Sequence, residues 1–466
     1  MPYLHCFIAL LLIASMPLAA RDGDYFPGFG TLGLGVRVVG FESSNAVPAR
    51  KDEPVEMVVL SDGTLVAAGL VPTDEQNANA PMGLGLLKLT PGGAVDNSFG
   101  SQGNGRVRAN LGLTPEVTAL ERNGMDQLYV VVNSGGAGLV LRYGPNGLPQ
   151  PFPGAGAGGA AGLVVNGQSV RLVDLQLLPD GRFVAAGEVG SGSSVDFLIA
   201  RWNANGTLDS SFGAQIGYTR VNFALDAGSR DRARRLVQRA NGGWLVGGTV
   251  SNNGDDLGIA AFNADGQIDS GFTGVLGQPG RTIFRFDAPL SDDLLADLVE
   301  LPSGRLMAYA HVDDPDAFAR NTALGALTPD GFPDNAYAPQ GRQSLPDVPG
   351  FGREVPAALL AQPDGAVIAV STKYSDGTET QADVIVRRVL ANGSNDQTFG
   401  NSVFFNLSLV QFAGNTPGFV DEARSAVAFP GGFFILGRFS QDPVDSEFGF
   451  AKLINSMGVL LVDGFE

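Results

Sequence analysis

The sequence predicts an all-β fold: a seven-bladed β-propeller of four-stranded blades, closed by the N-terminal strand completing the last blade. Three observations predict it. Alternating apolar stretches flank Asp-Gly or Asn-Gly turns many times over. Each unit closes on an aromatic residue, at intervals of 53 to 66 residues. An unpaired strand near the start answers a strand missing at the end. A period of this size is the mark of a repeat architecture.

The first two strands of each unit form a hairpin. The clearest copy is LVDLQLLPDGRFVAAG, Leu172–Gly187. Others start at Val55, Ala233, Leu294, Pro356 and Ala423, with a worn copy at Val117. Period-two alternation around such a dipeptide is the strongest short hairpin signal and predicts a two-residue turn. The third strand and its turn end in Asp-x-x-Phe-Gly, as in DFLIARWNANGTLDSSFG from Asp196 and DVIVRRVLANGSNDQTFG from Asp383. The closing aromatics are Phe99, Phe152, Phe212, Phe272, Tyr337, Phe399 and Phe465. A fourth strand follows, as in YTRVNF from Tyr218 and RTIFRF from Arg281.

An eighth aromatic-Gly pair, Phe29-Gly30, stands alone, followed by a strand at residues 34–41. The last unit stops at Phe465-Glu466 without a fourth strand. Residues 34–41 therefore complete the last blade, the exchange that removes open sheet edges.

These repeats resemble the delta-60 repeat family, secreted bacterial proteins with propeller-like repeats of this length. The motif residues are Pro179–Gly187 and Ala200–Gly213, and the likeness covers the mature chain. Departures fall at Pro149–Phe152 and Val462–Phe465. The resemblance implies fold and export and no established chemistry.

Residues 1–20 read as a signal peptide: the apolar run FIALLLIA from Phe7, then Pro17 and small residues before Arg21. The run is too short to cross a bilayer. The expected product is a single propeller domain, 21–466, secreted, periplasmic or at the cell surface, and monomeric. Cleavage removes Cys6 and leaves one histidine, His311.

Composition narrows the function. The 48 carboxylates against 30 Lys and Arg give a net charge of −18, which provides no field for nucleic acid. One Cys excludes a disulfide framework. No segment after the leader is a transmembrane candidate. The Asp before each closing aromatic, at Asp96, Asp209, Asp269, Asp334 and Asp396, is expected to fix a turn by accepting backbone N–H bonds. Phe99, Phe212, Phe272 and Phe399 are expected to pack blade against blade.

Chemistry is scarce. Gly28–Gly33 matches G-x-G-x-x-G, but a strand follows where a dinucleotide site needs a helix. The loop after His311 contains Asp313, Asp314 and Asp316, candidate calcium ligands without a recognised spacing, and a surface loop is the expected reading. Arg230, Arg232, Arg234, Arg235 and Arg239 form the one basic run, expected to pair with neighbours such as Asp226 and Asp231. The loops joining second to third strands are acidic, which serves solubility or attracts cations or a basic partner. No cofactor is expected, calcium excepted. The leading expectation is a non-enzymatic binding scaffold for an unidentified protein or glycan. The alternative is a propeller hydrolase or lyase acting on extracellular polysaccharide through carboxylates that converge on the central channel.

Overall fold

The structure, a computed structural model, describes residues 21–42, 51–74, 77, 80–112, 115–156, 158–192, 194–214, 216–225, 230–251, 254–286, 292–312, 321–346, 352–375, 380–400, 407–412, 419–442 and 445–456. It is all-β. After β1 (Val36–Val39) come six groups of four strands and a last group of three. They are β2 (Glu53–Val59), β3 (Leu65–Pro72), β4 (Met82–Leu89) and β5 (Arg106–Ala109); β6 (Glu116–Arg122), β7 (Leu128–Ser134), β8 (Ala137–Tyr143) and β9 (Ala161–Leu163); β10 (Val170–Leu177), β11 (Phe183–Ser191), β12 (Ser194–Trp202) and β13 (Tyr218–Val221); and β14 (Arg232–Gln238), β15 (Trp244–Ser251), β16 (Asp255–Phe262) and β17 (Arg281–Phe284). Then follow β18 (Asp293–Glu300), β19 (Leu306–Val312), β20 (Asn321–Leu327) and β21 (Arg342–Ser344); β22 (Glu354–Ala361), β23 (Val367–Tyr374), β24 (Ala382–Val389) and β25 (Ser408–Val410); and β26 (Val420–Phe429), β27 (Gly432–Asp442) and β28 (Asp445–Ile454).

Each of the first five groups is an antiparallel sheet in sequence order. The remaining strands form one larger sheet only because a single parallel bridge, Ala382 to Val420, joins β24 to β26. The middle strands are buried on both faces, which is why β11 and β15 read as nearly continuous apolar runs. The fourth strands are short and half exposed, as in β5 and β13. Short outer strands blunt the edge each sheet offers to other chains.

The hairpin turn differs from the expected two-residue form. The pairing that ends at Leu177–Phe183 leaves five residues in the loop. Gly181 N donates to Leu178 O at 2.9 Å, and among the turn residues only Gly181 has positive φ, 85°. The same loop forms at Leu60–Thr64 and Arg239–Gly243, where Ser61 and Ala240 stand in place of Pro179, so the proline's fixed φ fits this form without being its cause. Asp180 Oδ1 accepts from Arg182 N at 3.0 Å and holds the loop.

β1 pairs antiparallel with β28, Val36 opposite Ala451 through Val39 opposite Phe448. The N-terminal contribution to this sheet begins well before residue 34. Phe26 N donates to Lys452 O at 2.8 Å, as Asp269 N does to Ala261 O at 3.0 Å. Tyr25 bridges Leu453 as Ile268 bridges Phe262. Asp22–Gly30 thus occupies the turn and closing-aromatic position of this sheet, with Phe29 as the aromatic. Phe465, read as the last closing residue, lies outside the described residues.

Hydrophobic clusters fill the spaces between adjacent sheets. Ala186, Ile199 and Phe212 of one sheet meet Trp244 and Val246 of the next. Phe212 also explains a recurring glycine. A Cβ on Gly266 would lie 2.2 Å from the Phe212 ring, and Gly266 has φ +74°. The Asn/Asp-Gly turn therefore serves both its own sheet and its neighbour's ring.

Candidate functional site

One cavity of about 700 Å³ is lined by β2, β6, β10, β14, β18, β22 and β26, the first strand of each group. Every one of these strands carries a bulge at the same place, with Val55, Thr118, Val173, Arg234, Ala296, Ala357 and Arg424 as the extra residues. A bulge re-aims the side chains around it. Here it brings the residue that follows, among them Glu56, Asp174, Arg235, Asp297 and Ser425, to the cavity wall.

Arg235 is the hub. Its Nε donates to Asp297 Oδ1 at 2.7 Å, and its Nη1 lies 3.5 Å from Asp174 Oδ2. The two carboxylates also stitch sheets together. Asp174 accepts from Leu175 N and, in the next sheet, from Leu236 N, both at 2.8 Å. Asp297 accepts from Leu298 N at 2.8 Å and from Leu359 N of its next sheet at 2.7 Å. Burial opposes the charge on Arg235, but Asp297, Asp174 and Glu56 outweigh it and raise its pKa. Burial raises Asp174 in spite of Arg235.

Glu56 has no hydrogen bond or ion pair within bonding distance among the described residues. Burial in the channel wall pushes its pKa up to about 7; Arg235 and the Ser425 hydroxyl pull it down, while Asp174 and Asp297 push it further up. Channel water still reaches it, since the residue is only half buried by exposed area. Among the described residues Arg234 pairs with no carboxylate; its Nε makes one long bond to Ala296 O at 3.4 Å. Burial, then Arg235, lowers its pKa. The other channel arginines are committed. Arg171 meets Glu116 at 2.5 Å and Glu188 at 3.3 Å. Arg424 meets Glu422 at 2.7 Å and Glu53 at 3.7 Å.

The basic run therefore does not pair as its local sequence implied. Arg235 and Arg239 find Asp174, Asp297, Glu300 and Asp269, mostly on adjacent sheets. Asp231 instead accepts from Phe223 N at 2.9 Å, and Asp226 lies outside the described residues. Asp231 belongs to a set that sequence reading missed. Asp52 accepts from Phe41 N at 2.8 Å and Asp421 from Phe412 N at 3.1 Å, each four residues before its bulge-following residue. All three are buried, with Oδ1 left without a partner. Burial raises Asp52 well above the carboxylate range, with Glu42 adding to it. Burial likewise raises Asp231 to about 6 and Asp421 to about 7. The legible signal was an Asp four residues before the bulge-following position in several of the repeats, as at Asp52, Asp231 and Asp421.

The aspartates before the closing aromatics lie at the turns, away from the cavity lining. Oδ1 of Asp96, Asp209, Asp269, Asp334 and Asp396 accepts the backbone N–H two residues on, at 2.8–3.0 Å. Cations hold several of the second oxygens: Arg201 on Asp209 at 2.8 Å, Arg305 on Asp334 at 2.7 Å and Arg388 on Asp396 at 2.6 Å. Bonds from Ser98 hold Asp96 below the ordinary value. At Asp209, Asp334 and Asp396 burial works upward, but such bonds and the facing arginines win. Phe99, Phe212, Phe272 and Phe399 are all buried. Arg201 stacks 4.6 Å from the Phe212 centroid and Arg388 5.2 Å from that of Phe399.

Asp313, Asp314 and Asp316 lie outside the described residues. His311 is a strand residue of β19, 7% exposed, and does not line the cavity. The acidic loops are less unbalanced than loop residues alone suggested. Arg171 pairs with Glu188, and Arg285 from β17's end pairs with Asp256 at 2.6 Å. Among the described residues, no group of three or more His, Cys, Asp or Glu could hold a metal ion. No helix among them is long and apolar enough to cross a membrane.

Residues 178–212 and 239–272 match the family described as a domain of unknown function, the DUF5122 beta-propeller. The match supports a β-propeller repeat fold. Among curated proteins, none matches the chain. Similar solved structures include a protein of unknown function from Dyadobacter fermentans, 11% identical, covering 90% of this chain and 99% of its own, with a TM-score of 0.42. The polysaccharide lyase Uly1 is 9% identical over 94% of this chain and 98% of its own, with a TM-score of 0.43. The NanB sialidase from Streptococcus pneumoniae is 8% identical over 96% and 72%, with a TM-score of 0.40.

Proposed function

We propose that the chain is an exported, monomeric, non-enzymatic binding scaffold that acts at or outside the cell envelope and receives its ligand in the central cavity. The proposal includes a closed ring of seven blades of the delta-60 type. Its support is the single cavity lined by first strands from β2 to β26, and the bond from Gly30 N to Gly92 O at 2.9 Å. That bond repeats, between the N-terminal segment and the first unit, the contact Gly213 N makes to Asp265 O at 2.7 Å. Within this frame the turn aspartates Asp96, Asp209, Asp269, Asp334 and Asp396 and the aromatics Phe99, Phe212, Phe272 and Phe399 serve architecture. No cofactor is proposed; melting with and without millimolar calcium tests Asp313, Asp314 and Asp316.

The observation that carries the binding reading is the channel's charge economy. Arg171, Arg235 and Arg424 are locked in ion pairs, which makes a rigid polar wall suited to recognition. Glu56 favours the second reading, a hydrolase or lyase, because a carboxyl near 7 without an ion pair fits general acid–base work. Incubation with a panel of extracellular glycans and peptides separates the two. Retention of a glycan or peptide without product supports the scaffold. Product that forms with the wild type and disappears with Glu56→Gln overturns it.

A further inference from the structure

We infer that the central channel binds a ligand carrying a single carboxylate on a polyhydroxylated frame, an acidic sugar unit, with Arg234 as its anchor and Ser425 and Glu56 meeting its hydroxyls. The inference rests on the binding reading above and names its ligand class.

Three observations converge. First, Arg234 is the exceptional residue of the bulge series. The corresponding positions hold Val55, Thr118, Val173, Ala296 and Ala357, and the one other cation, Arg424, is neutralised by Glu422. By exposed area the Arg234 guanidinium faces the cavity, where Asp297 and Glu56 act on it only through space and Arg235 opposes it, so it is open to an incoming anion. Second, Ser425 is 6% exposed and lines the cavity, and its Oγ makes no hydrogen bond of normal length, the Glu56 carboxyl acting on it only from a longer distance. A buried hydroxyl without a partner is rare in a folded chain and is satisfied when a ligand hydroxyl reaches it. Third, Glu56 lies beside Ser425 and offers either a donor or an acceptor as its proton comes and goes. Sugar hydroxyls need both.

Charge and size narrow the class. One unpaired cation matches one carboxylate, while Asp174, Asp297 and Glu56 repel a multiply charged anion such as phosphate. A cavity of about 700 Å³ accepts one or two sugar rings.

The test is calorimetric titration of the mature protein with D-galacturonate and its dimer, with D-galactose and inorganic phosphate as comparison probes. The expected result is at least tenfold tighter binding of galacturonate than of galactose, with phosphate weaker than galacturonate. Arg234→Met removes the preference at unchanged melting temperature; Arg234→Lys keeps part of it; Ser425→Ala weakens both sugars severalfold. Should Arg234→Met fail to fold, the wild-type comparison of galacturonate with galactose decides alone. Equal binding of the two sugars, tighter phosphate binding, an unaffected Arg234→Met or no binding overturns the inference. Product assayed in the same samples reports separately on the scaffold reading, since turnover refutes that reading whichever sugar is preferred.

Discussion

Asp297→Ala probes a junction between sheets. The side chain of Asp297 is 3% exposed as part of β18 and satisfies three donors: Leu298 N, Leu359 N of the next sheet and Arg235 Nε. Alanine strands two backbone N–H groups and leaves Arg235 with Asp174 alone, at 3.5 Å. Each buried donor left without an acceptor costs about 1–3 kcal/mol, and breaking a buried ion pair costs about 3–5 kcal/mol. The terms overlap, because the same carboxylate carries them, and about 4 kcal/mol is the working figure. With an unfolding entropy of about 2 cal/mol/K per residue, a cooperative chain of this length loses about 1 °C per kcal/mol, so the melting temperature falls by about 4 °C. Asp330→Ala, on an exposed turn, is the control, with an effect within about 0.5 kcal/mol. Calorimetry of the two variants checks the difference. A shift for Asp297→Ala no larger than that of the control refutes the account of Asp297 as a clasp between sheets.

Asp231 and Asp421 have pKa values raised to about 6 and about 7 in the folded protein, so the stability they confer is full below the ordinary carboxylate range and is lost as pH rises through those values; Asp52, also raised, acts in the same sense. The lowered Asp96, Asp209, Asp334 and Asp396 act in the opposite sense, and their contribution is lost as pH falls below the ordinary value. Melting temperature is expected to peak at mildly acidic pH, and the triple Asp→Asn variant at 52, 231 and 421 to flatten the alkaline decline; a wild type most stable at pH 8 contradicts this. Arg201→Met removes the Asp209 pair, the bond to Ala264 O and the stacking on Phe212, for a loss of about 2–4 kcal/mol. Hydrogen exchange should then quicken first around Gly213 and Asp265, and an unchanged pattern counts against it. A chain lacking residues 21–42 leaves β28 unpaired beside Phe434 and Phe448, and should aggregate on size exclusion until a synthetic 21–42 peptide is added. A monomer with unaltered melting rejects the ring.

The strands and turns were legible because alternation and turn chemistry are local. The hairpin type was misjudged because the Asp or Asn side chain accepts the N–H two residues on and holds a longer loop, as Asp62, Asp180 and Asn241 do. The N-terminal exchange was legible only in part. Asp22-Gly23-Asp24-Tyr25-Phe26-Pro27-Gly28-Phe29 aligns with Asp265-Gly266-Gln267-Ile268-Asp269-Ser270-Gly271-Phe272, but Phe26 replaces the diagnostic Asp and hid the longer match. The channel was not legible. Arg235 reaches carboxylates 61 or 62 residues away along the chain, because equivalent positions in neighbouring repeats become neighbours across the lumen, and no local window contains that relation.

The exchange of the N-terminal segment also fixes an order of events in time. Asp22 bonds Ser456 N at 2.7 Å across a sequence separation of 434 residues. The earliest part of the described fold to emerge is therefore the last to find its partners. Joining ends so far apart adds only about 3 kcal/mol of entropy over a ten-residue loop, because that term grows logarithmically. Time is the larger burden, since long-range pairings form late. Until β28 emerges, β1 is a bare strand, and an incomplete chain has nowhere to place it. Fragments left by interrupted synthesis would then carry two unsatisfied edges and be removed by proteases, whereas pairing β1 with β28 hides both at once.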